Sequence, residues 1–168
     1  MSNRHRRAEL RAQADERTRL DAIATSRHVD VELHYRGVGF PLLRFAVLRS
    51  FEPAVLWEVY GRADALVVSV SRGTEPDKPY VTGQISLDAD PAVLRALLDE
   101  LSRHSFALAP AWPKFLTADG TRFIATIKVR QASCRLEWVE GDVPTAWSGA
   151  IAHLLRVHRY LASLAAAA

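Results

Sequence analysis

The chain has 168 residues, 49% of them hydrophobic and 24% charged, which is the balance of a single folded globular domain rather than a disordered chain. It contains no run of about 18 apolar residues, so no membrane-spanning helix is predicted. A single cysteine, Cys134, excludes an internal disulfide bond, and the charged N-terminus lacks the apolar segment of a secretory signal. We therefore expect a cytoplasmic protein.

The net charge of +3 comes entirely from the first 27 residues. These contain seven arginines and four acidic residues, a difference of +3, whereas residues 28–168 contain 15 basic and 15 acidic residues. Within this segment, residues 8–24 lack Gly and Pro and carry Arg–Asp pairs four residues apart, a pattern that favours an exposed helix. The sequence therefore predicts a charged helical arm, 1–27, followed by a single α+β domain, 28–168.

The first half of the domain has the alternating pattern of β-strands, interrupted by Gly- and Pro-containing segments. The predicted strands cover 28–36, 42–49, 55–60, 65–72 and 80–87. The third of them is short, and a helix is an alternative there. The segment SRGTEPDKP between the last two strands carries Arg72 and Lys78, which offer positive charge to an anion. We favour an ordinary polar loop for it.

A helix is predicted over about 90–103. Asp90 is placed to accept hydrogen bonds from the free N–H groups of the first turn, and Pro91 suits the first helical position. Four leucines then recur at the spacing of a single helical face. This buried face consists of Leu94, Leu97, Leu98 and Leu101.

Two further strands, near 121–130 and 133–139, are expected to form a hairpin. A two-residue turn at 131–132 would pair Val129 with Cys134 and bring the apolar residues of both strands onto one face. In that register Cys134 is a packed thiol rather than a nucleophile.

The last predicted helix covers about 144–164, with Asp142 as a plausible N-terminal cap. Its two apolar stripes span a wider arc than one sheet face can bury, so the helix is either enclosed between layers or part of an interface. We favour an interface with a protein partner or a second copy of the chain. The residues predicted to form it are Trp147, Ile151, Leu154, His158 and Tyr160.

Together these elements predict an α+β fold, in which a mostly antiparallel sheet of about five to seven strands is packed by the two main helices, 90–103 and 144–164, with the N-terminal helix exposed. The arrangement of Gly120, Trp138, Pro144 and Trp147 around the final hairpin and helix is similar to that in small bacterial α+β domains. This similarity implies a bacterial source and carries no function.

One alternative function is a metal-dependent enzyme. Residues 28–36 alternate between apolar side chains and side chains able to bind a metal. Neighbours on one strand face are about 6.7 Å apart, so Glu32 and His34 are a pair that can share one ion. The other interpretation is a solvated strand face, in which Asp30 and Glu32 form ion pairs with cations of the last hairpin. We favour the solvated face.

A second alternative is a nucleic-acid-binding protein, since the arginine-rich arm and a basic face of the hairpin offer cations to phosphates. The residues concerned are Arg4, Arg6, Arg7, Arg11, Lys128, Arg130 and Arg135. No nucleophile elbow, phosphate-binding loop or dinucleotide motif occurs in the chain. The leading prediction is therefore a non-catalytic protein-interaction module, regulatory, adaptor or immunity-like, without cofactor or metal.

Overall fold

The computed structural model describes residues 27–28, 40–62, 65–76, 80–104, 120–129 and 132–167. Its strands are β1 (Arg27–His28), β2 (Phe40–Arg49), β3 (Pro53–Arg62), β4 (Ala65–Pro76), β5 (Tyr80–Leu87), β6 (Thr121–Val129) and β7 (Ala132–Val139). Its helices are α1 (Pro91–Ser102) and α2 (Ser148–Ala167), with a short 3-10 turn (Thr145–Trp147) before α2. The predicted N-terminal helix and most of the predicted first strand lie outside the described residues.

All neighbouring strands are antiparallel, in the order β1-β5-β4-β3-β2-β6-β7. Strands β2, β3 and β4 each pair with the next strand along the chain. Strand β6 then returns to lie beside β2 and pairs with β7 on its other side. The predicted α+β class, antiparallel sheet and two main helices are confirmed. The helical alternative for 55–60 is wrong, because these residues lie in β3 with partners on both sides.

Both described helices pack on one face of the sheet, called here the helix face. Alternate residues of β2, such as Phe45, point to this face and join α1 and α2 in the main core. The fully buried leucines of the two helices in this core are Leu94, Leu101, Leu154 and Leu161. Because these four leucines pack against a row of strand side chains, removing either helix would expose the apolar side chains of the sheet to water.

Helix α1 begins where its sequence predicts. The Asp90 carboxylate accepts hydrogen bonds from the N–H groups of Ala92 at 2.8 Å and Val93 at 3.3 Å, and Pro91 occupies the first turn. These bonds satisfy donors that have no partner inside the helix. The predicted cap is confirmed.

The register of the last hairpin differs from the prediction. Val129 pairs with Ala132 and Ile127 with Cys134, so positions 130 and 131, not 131 and 132, separate the strands. The predicted pairing of Val129 with Cys134 is wrong by two residues. Because side chains alternate with a period of two, this slip leaves every residue on its predicted face, and Cys134 still lies in the apolar row.

Helix α2 begins later and ends later than predicted. Pro144 has an extended backbone, with ψ of 130°, and the helix proper starts at Ser148. Asp142 forms a β-bridge with Val139 and is not the cap. The helix continues to Ala167 through alanines, which have the highest helix propensity. No helix within the described ranges is long and apolar enough to cross a membrane.

The opposite face of the sheet contains a buried ion pair. Arg44 and Glu58 are cross-strand partners in β2 and β3, and their side chains are only 4% and 1% exposed. Arg44 Nε donates to Glu58 Oε1 at 3.0 Å, and the hydroxyl of Tyr60 donates to the same oxygen at 2.9 Å. The Arg44 NH2 nitrogen is 2.8 Å from this oxygen, but without hydrogen-bond geometry, so that contact is ionic.

Candidate functional site

A cleft with a volume of about 160 Å³ opens on the helix face, beside the turn between β2 and β3. Its apolar lining comes from Val47, Pro53, Val55, Trp57 and Ala162. Its polar lining comes from Arg49, Glu52, Arg72 and His158. The cleft therefore combines an apolar floor with charged side chains.

Strand alternation and register bring these residues together. Arg49 follows Val47 by two residues in β2, so both point to the helix face. Arg72 of β4 is the cross-strand partner of Val55 in β3 and shares its face. Helix α2 contributes His158 and Ala162, which are four residues apart and therefore on one side of the helix.

The cleft carries a net positive charge. Arg49 and Glu52 form an exposed ion pair at 2.9 Å across the β2–β3 turn. Arg72 forms no ion pair with any residue that the structure describes. Among the described lining residues, two cations and one anion leave a charge of +1, and Arg72 is the cation without an ion pair among them.

An aromatic wall closes the inner side of the cleft. His158 stacks on Phe45 with ring centroids 5.0 Å apart and meets the edge of Trp57 at 5.8 Å. Trp57 is 5% exposed, and its indole N–H has no hydrogen-bond partner in the described structure. A buried donor left in this state costs about 1–3 kcal/mol.

The pKa of His158 is lowered, first by burial of the imidazole and second by the positive charge of Arg49. Burial removes the water that stabilises the imidazolium form. His158 is therefore neutral at neutral pH, with one ring nitrogen as a donor and the other as an acceptor.

Replacing His158 with phenylalanine is expected to make the free energy of unfolding less sensitive to acid. The unfolded histidine titrates near its ordinary pKa of 6.5, above the folded value, so between the two values the unfolded state binds more protons. The wild-type protein therefore loses stability as the pH falls below 6.5, and this contribution is constant above it. Urea unfolding of both proteins at about pH 7.5 and about pH 5 measures the difference. An equal loss in both would contradict it.

Phe51 lies in the β2–β3 turn, between Arg49 and Glu52, which both line the cleft. Its φ is 67°, in the left-handed region, and 71% of its surface is exposed. This conformation costs a residue with a side chain roughly 1–2 kcal/mol, and strained positions of this kind cluster at functional sites. An exposed aromatic side chain is therefore held, against its backbone preference, in the turn that connects two lining residues of the cleft.

The five residues predicted as an interface on the last helix have different environments. Ile151 and Leu154 lie in the main core, Trp147 is half-buried in the 3-10 turn, and the hydroxyl of Tyr160 accepts a hydrogen bond from the Asp90 N–H at 3.0 Å. His158 is the one that lines the cleft. The wide apolar arc of α2 is thus covered by both the sheet and α1. Self-association through this helix stays a prediction.

A polar network between α1 and α2 has no counterpart in the predictions. The buried His153 donates from Nε2 to the Leu97 carbonyl at 2.8 Å, and Arg156 bonds to Glu100 at 2.6 Å. The Arg156 hydrogen bond is the main cause that lowers the pKa of Glu100. The position of His153 within the apolar stripe of α2 is the one sequence feature that indicates a buried polar contact. Its partner, the Leu97 carbonyl of α1, cannot be identified from the sequence.

The residues predicted for nucleic-acid binding are described only in part. Lys128 and Arg135 lie on the face of β6 and β7 opposite the helices. The guanidinium group of Arg135 is 3.0 Å from the carboxylate oxygen Oε2 of Glu137. Glu137 also accepts a hydrogen bond from Arg122 at 2.7 Å, so acidic charge lies within this patch. Nucleic-acid binding stays a prediction. The remaining cations, Arg4, Arg6, Arg7, Arg11 and Arg130, lie outside the described residues.

The proposed metal pair, Glu32 and His34, also lies outside the described residues, as does Asp30. Among the residues that are described, no group of three or more His, Cys, Asp or Glu side chains is arranged to hold a metal ion. Burial raises the pKa of the Cys134 thiol, which disfavours the reactive thiolate. The chemistry available in the described structure therefore centres on the cleft.

A scan of family models, a search of curated proteins and a search of solved structures found no match to this chain.

Proposed function

We propose that the protein is a non-catalytic interaction module that docks a partner protein on the surface formed by Phe51 and the adjacent cleft. The observation that carries this proposal is Phe51, a large aromatic side chain that is 71% exposed in a left-handed backbone conformation. Exposed aromatic residues and arginines are the side chains most enriched at the centres of protein interfaces. Here Phe51 and Arg49 are two residues apart in the chain, and Arg49 lines the cleft.

The polar groups of the cleft support binding rather than reaction. The guanidinium groups of Arg49 and Arg72 are donors without acid–base function, and Glu52 is engaged by Arg49. His158 has ring contacts on both sides, and no nucleophile bonds to it within the described residues. A base paired with a nucleophile is the basic arrangement of covalent catalysis, and this cleft has none among its described side chains.

Replacing Phe51 with glycine is expected to separate stability from binding. Glycine adopts positive φ without steric cost, so the free energy of unfolding should rise by about 0.5–1 kcal/mol. Retention of a partner should fall, because the aromatic anchor is gone. Urea unfolding measures the first effect. Quantitative comparison of the proteins retained from a source-cell extract by immobilised wild-type and variant chains measures the second.

Val93→Ala is the matched control, since Val93 is an exposed apolar residue on α1 and does not line the cleft. A partner retained by wild type and Val93→Ala, and several-fold less by Phe51→Gly, supports the proposal. Equal retention by all three proteins contradicts it. Because the glycine variant is the more stable one, reduced retention cannot be attributed to unfolding.

A further inference from the structure

We infer that the cleft binds the C-terminal residue of a partner polypeptide, an apolar residue whose free carboxylate is held by Arg72. This inference rests on the proposed function and adds the chemistry that the docking surface recognises. Backbone termini are a recurrent target of peptide-binding domains. Charge, size and hydrogen-bonding capacity of the cleft support the assignment independently.

The charge of the cleft selects a monoanion. Glu52 compensates Arg49, and Arg72 has no counterion among the described residues. A single carboxylate therefore brings the cleft to neutrality. Arginine binds a carboxylate through two parallel N–H bonds, which orient the group as well as attract it.

The floor of the cleft selects one apolar side chain. Val47, Val55 and the Trp57 ring line it, and its volume is about 160 Å³. A cavity of about 150 Å³ holds one benzene molecule, so one side chain of the size of leucine or phenylalanine fits. A terminal residue carries its side chain and its carboxylate on the same Cα, whereas an internal Asp or Glu has no apolar group next to its charge.

The aromatic wall supplies further polar contacts. The ring nitrogens of His158 have no hydrogen-bond partner in the described structure, so they are available as one donor and one acceptor. A terminal residue offers an N–H donor and carboxylate acceptors within a few ångströms. Both kinds of group thus find complements in a single ligand.

The test is a titration of the full-length chain with acetyl-Ala-Ala-Leu as the free acid, its C-terminal amide, acetyl-Ala-Glu-Ala amide and N-acetyl-leucine. Binding is followed through the indole N–H signals of the four tryptophans in an NMR spectrum. The signal of Trp57 is assigned as the one missing from a Trp57→Phe variant. We expect the free acid to shift this signal and to bind at least tenfold more tightly than the amide.

Two arginine substitutions test which cation binds the carboxylate of the peptide. Arg72→Gln should weaken binding of the free acid about tenfold, which corresponds to about 1.4 kcal/mol, because it removes a charge-assisted contact. Arg103→Gln, which removes the same charge from the end of α1 outside the cleft, should leave the affinity unchanged. Equal effects of the two substitutions would assign the attraction to overall charge and overturn the inference.

Other outcomes are equally decisive. Binding of acid and amide with the same affinity, or of neither, overturns carboxylate recognition. Binding of the internal glutamate peptide as tightly as the free acid overturns the terminal assignment. N-acetyl-leucine binding as tightly as the tripeptide overturns the polypeptide assignment in favour of a free acyl amino acid. Partner retention that depends on Phe51, without peptide binding, would refute this inference alone, and peptide binding without such retention would refute the proposed function alone.

Discussion

Replacing Arg44 with methionine is expected to lower the free energy of unfolding by about 3–5 kcal/mol. Arg44 and Glu58 are almost fully buried, and the methionine would remove the cation that lies 2.8 Å from the Glu58 carboxylate oxygen. The Tyr60 hydroxyl still donates to that carboxylate, but a neutral donor does not replace a cation in a medium of low polarity. Urea or guanidinium unfolding monitored by tryptophan fluorescence gives the value.

Two controls separate burial from charge. Arg49→Met breaks the exposed Arg49–Glu52 pair and should change the free energy of unfolding by less than about 1 kcal/mol. The double variant Arg44→Met/Glu58→Leu should recover much of the loss, because it removes the buried carboxylate together with its cation. A single Arg44→Met variant as stable as wild type would contradict the expected contribution of the buried ion pair to the free energy of unfolding.

The second large effect is expected at Leu154. Replacing this residue with alanine should lower the free energy of unfolding by about 2–5 kcal/mol, because its side chain is 0% exposed and the deletion leaves a cavity in the main core. The residue is also one of those predicted to contact a partner. A core residue acts on the folding of the isolated chain, whereas an interface residue acts on partner affinity only.

Val93→Ala is again the control, since it removes apolar atoms from a side chain that is 42% exposed and should change stability by less than about 0.5 kcal/mol. The experiment is performed at several protein concentrations. A loss for Leu154→Ala that appears only at concentrations where wild type self-associates would place Leu154 in an interface, against its position in the core of a single chain.

Much of the fold was accessible from sequence patterns, because local chemistry determines where elements lie. The cap at Asp90 and Pro91 and the leucine stripe of α1 predicted that helix correctly. The last hairpin was placed on the correct residues, but its register was wrong by two, since a two-residue slip preserves the apolar face and only the turn distinguishes the alternatives. Asp142 failed as a cap because Pro144 continues the chain in an extended conformation.

Only single residues of the cleft could be predicted from the sequence. The sequence marks Arg72 as a cation able to bind an anion and His158 as a residue of the wide apolar arc. Nothing local in the sequence relates these two residues to Trp57 or Arg49, because their proximity depends on strand order and on where α2 crosses the sheet. Phe51 was not selected at all, since a left-handed conformation is typical of glycine and leaves no mark on an aromatic residue.

Side-chain periodicity and capping chemistry act over a few residues, and they were sufficient for the fold class, for most strands and for the leucine face of α1. Whether the apolar arc of α2 is buried inside the chain or exposed at an interface depends on the elements packed against it. The same stripe of Ile151 and Leu154 suits an interface and a core equally well. Packing of α2 against both the sheet and α1 placed that stripe inside the chain. The same packing brings Arg72 of β4 and His158 of α2 to one cleft. Such a cleft forms only where segments that are distant in the sequence meet in space.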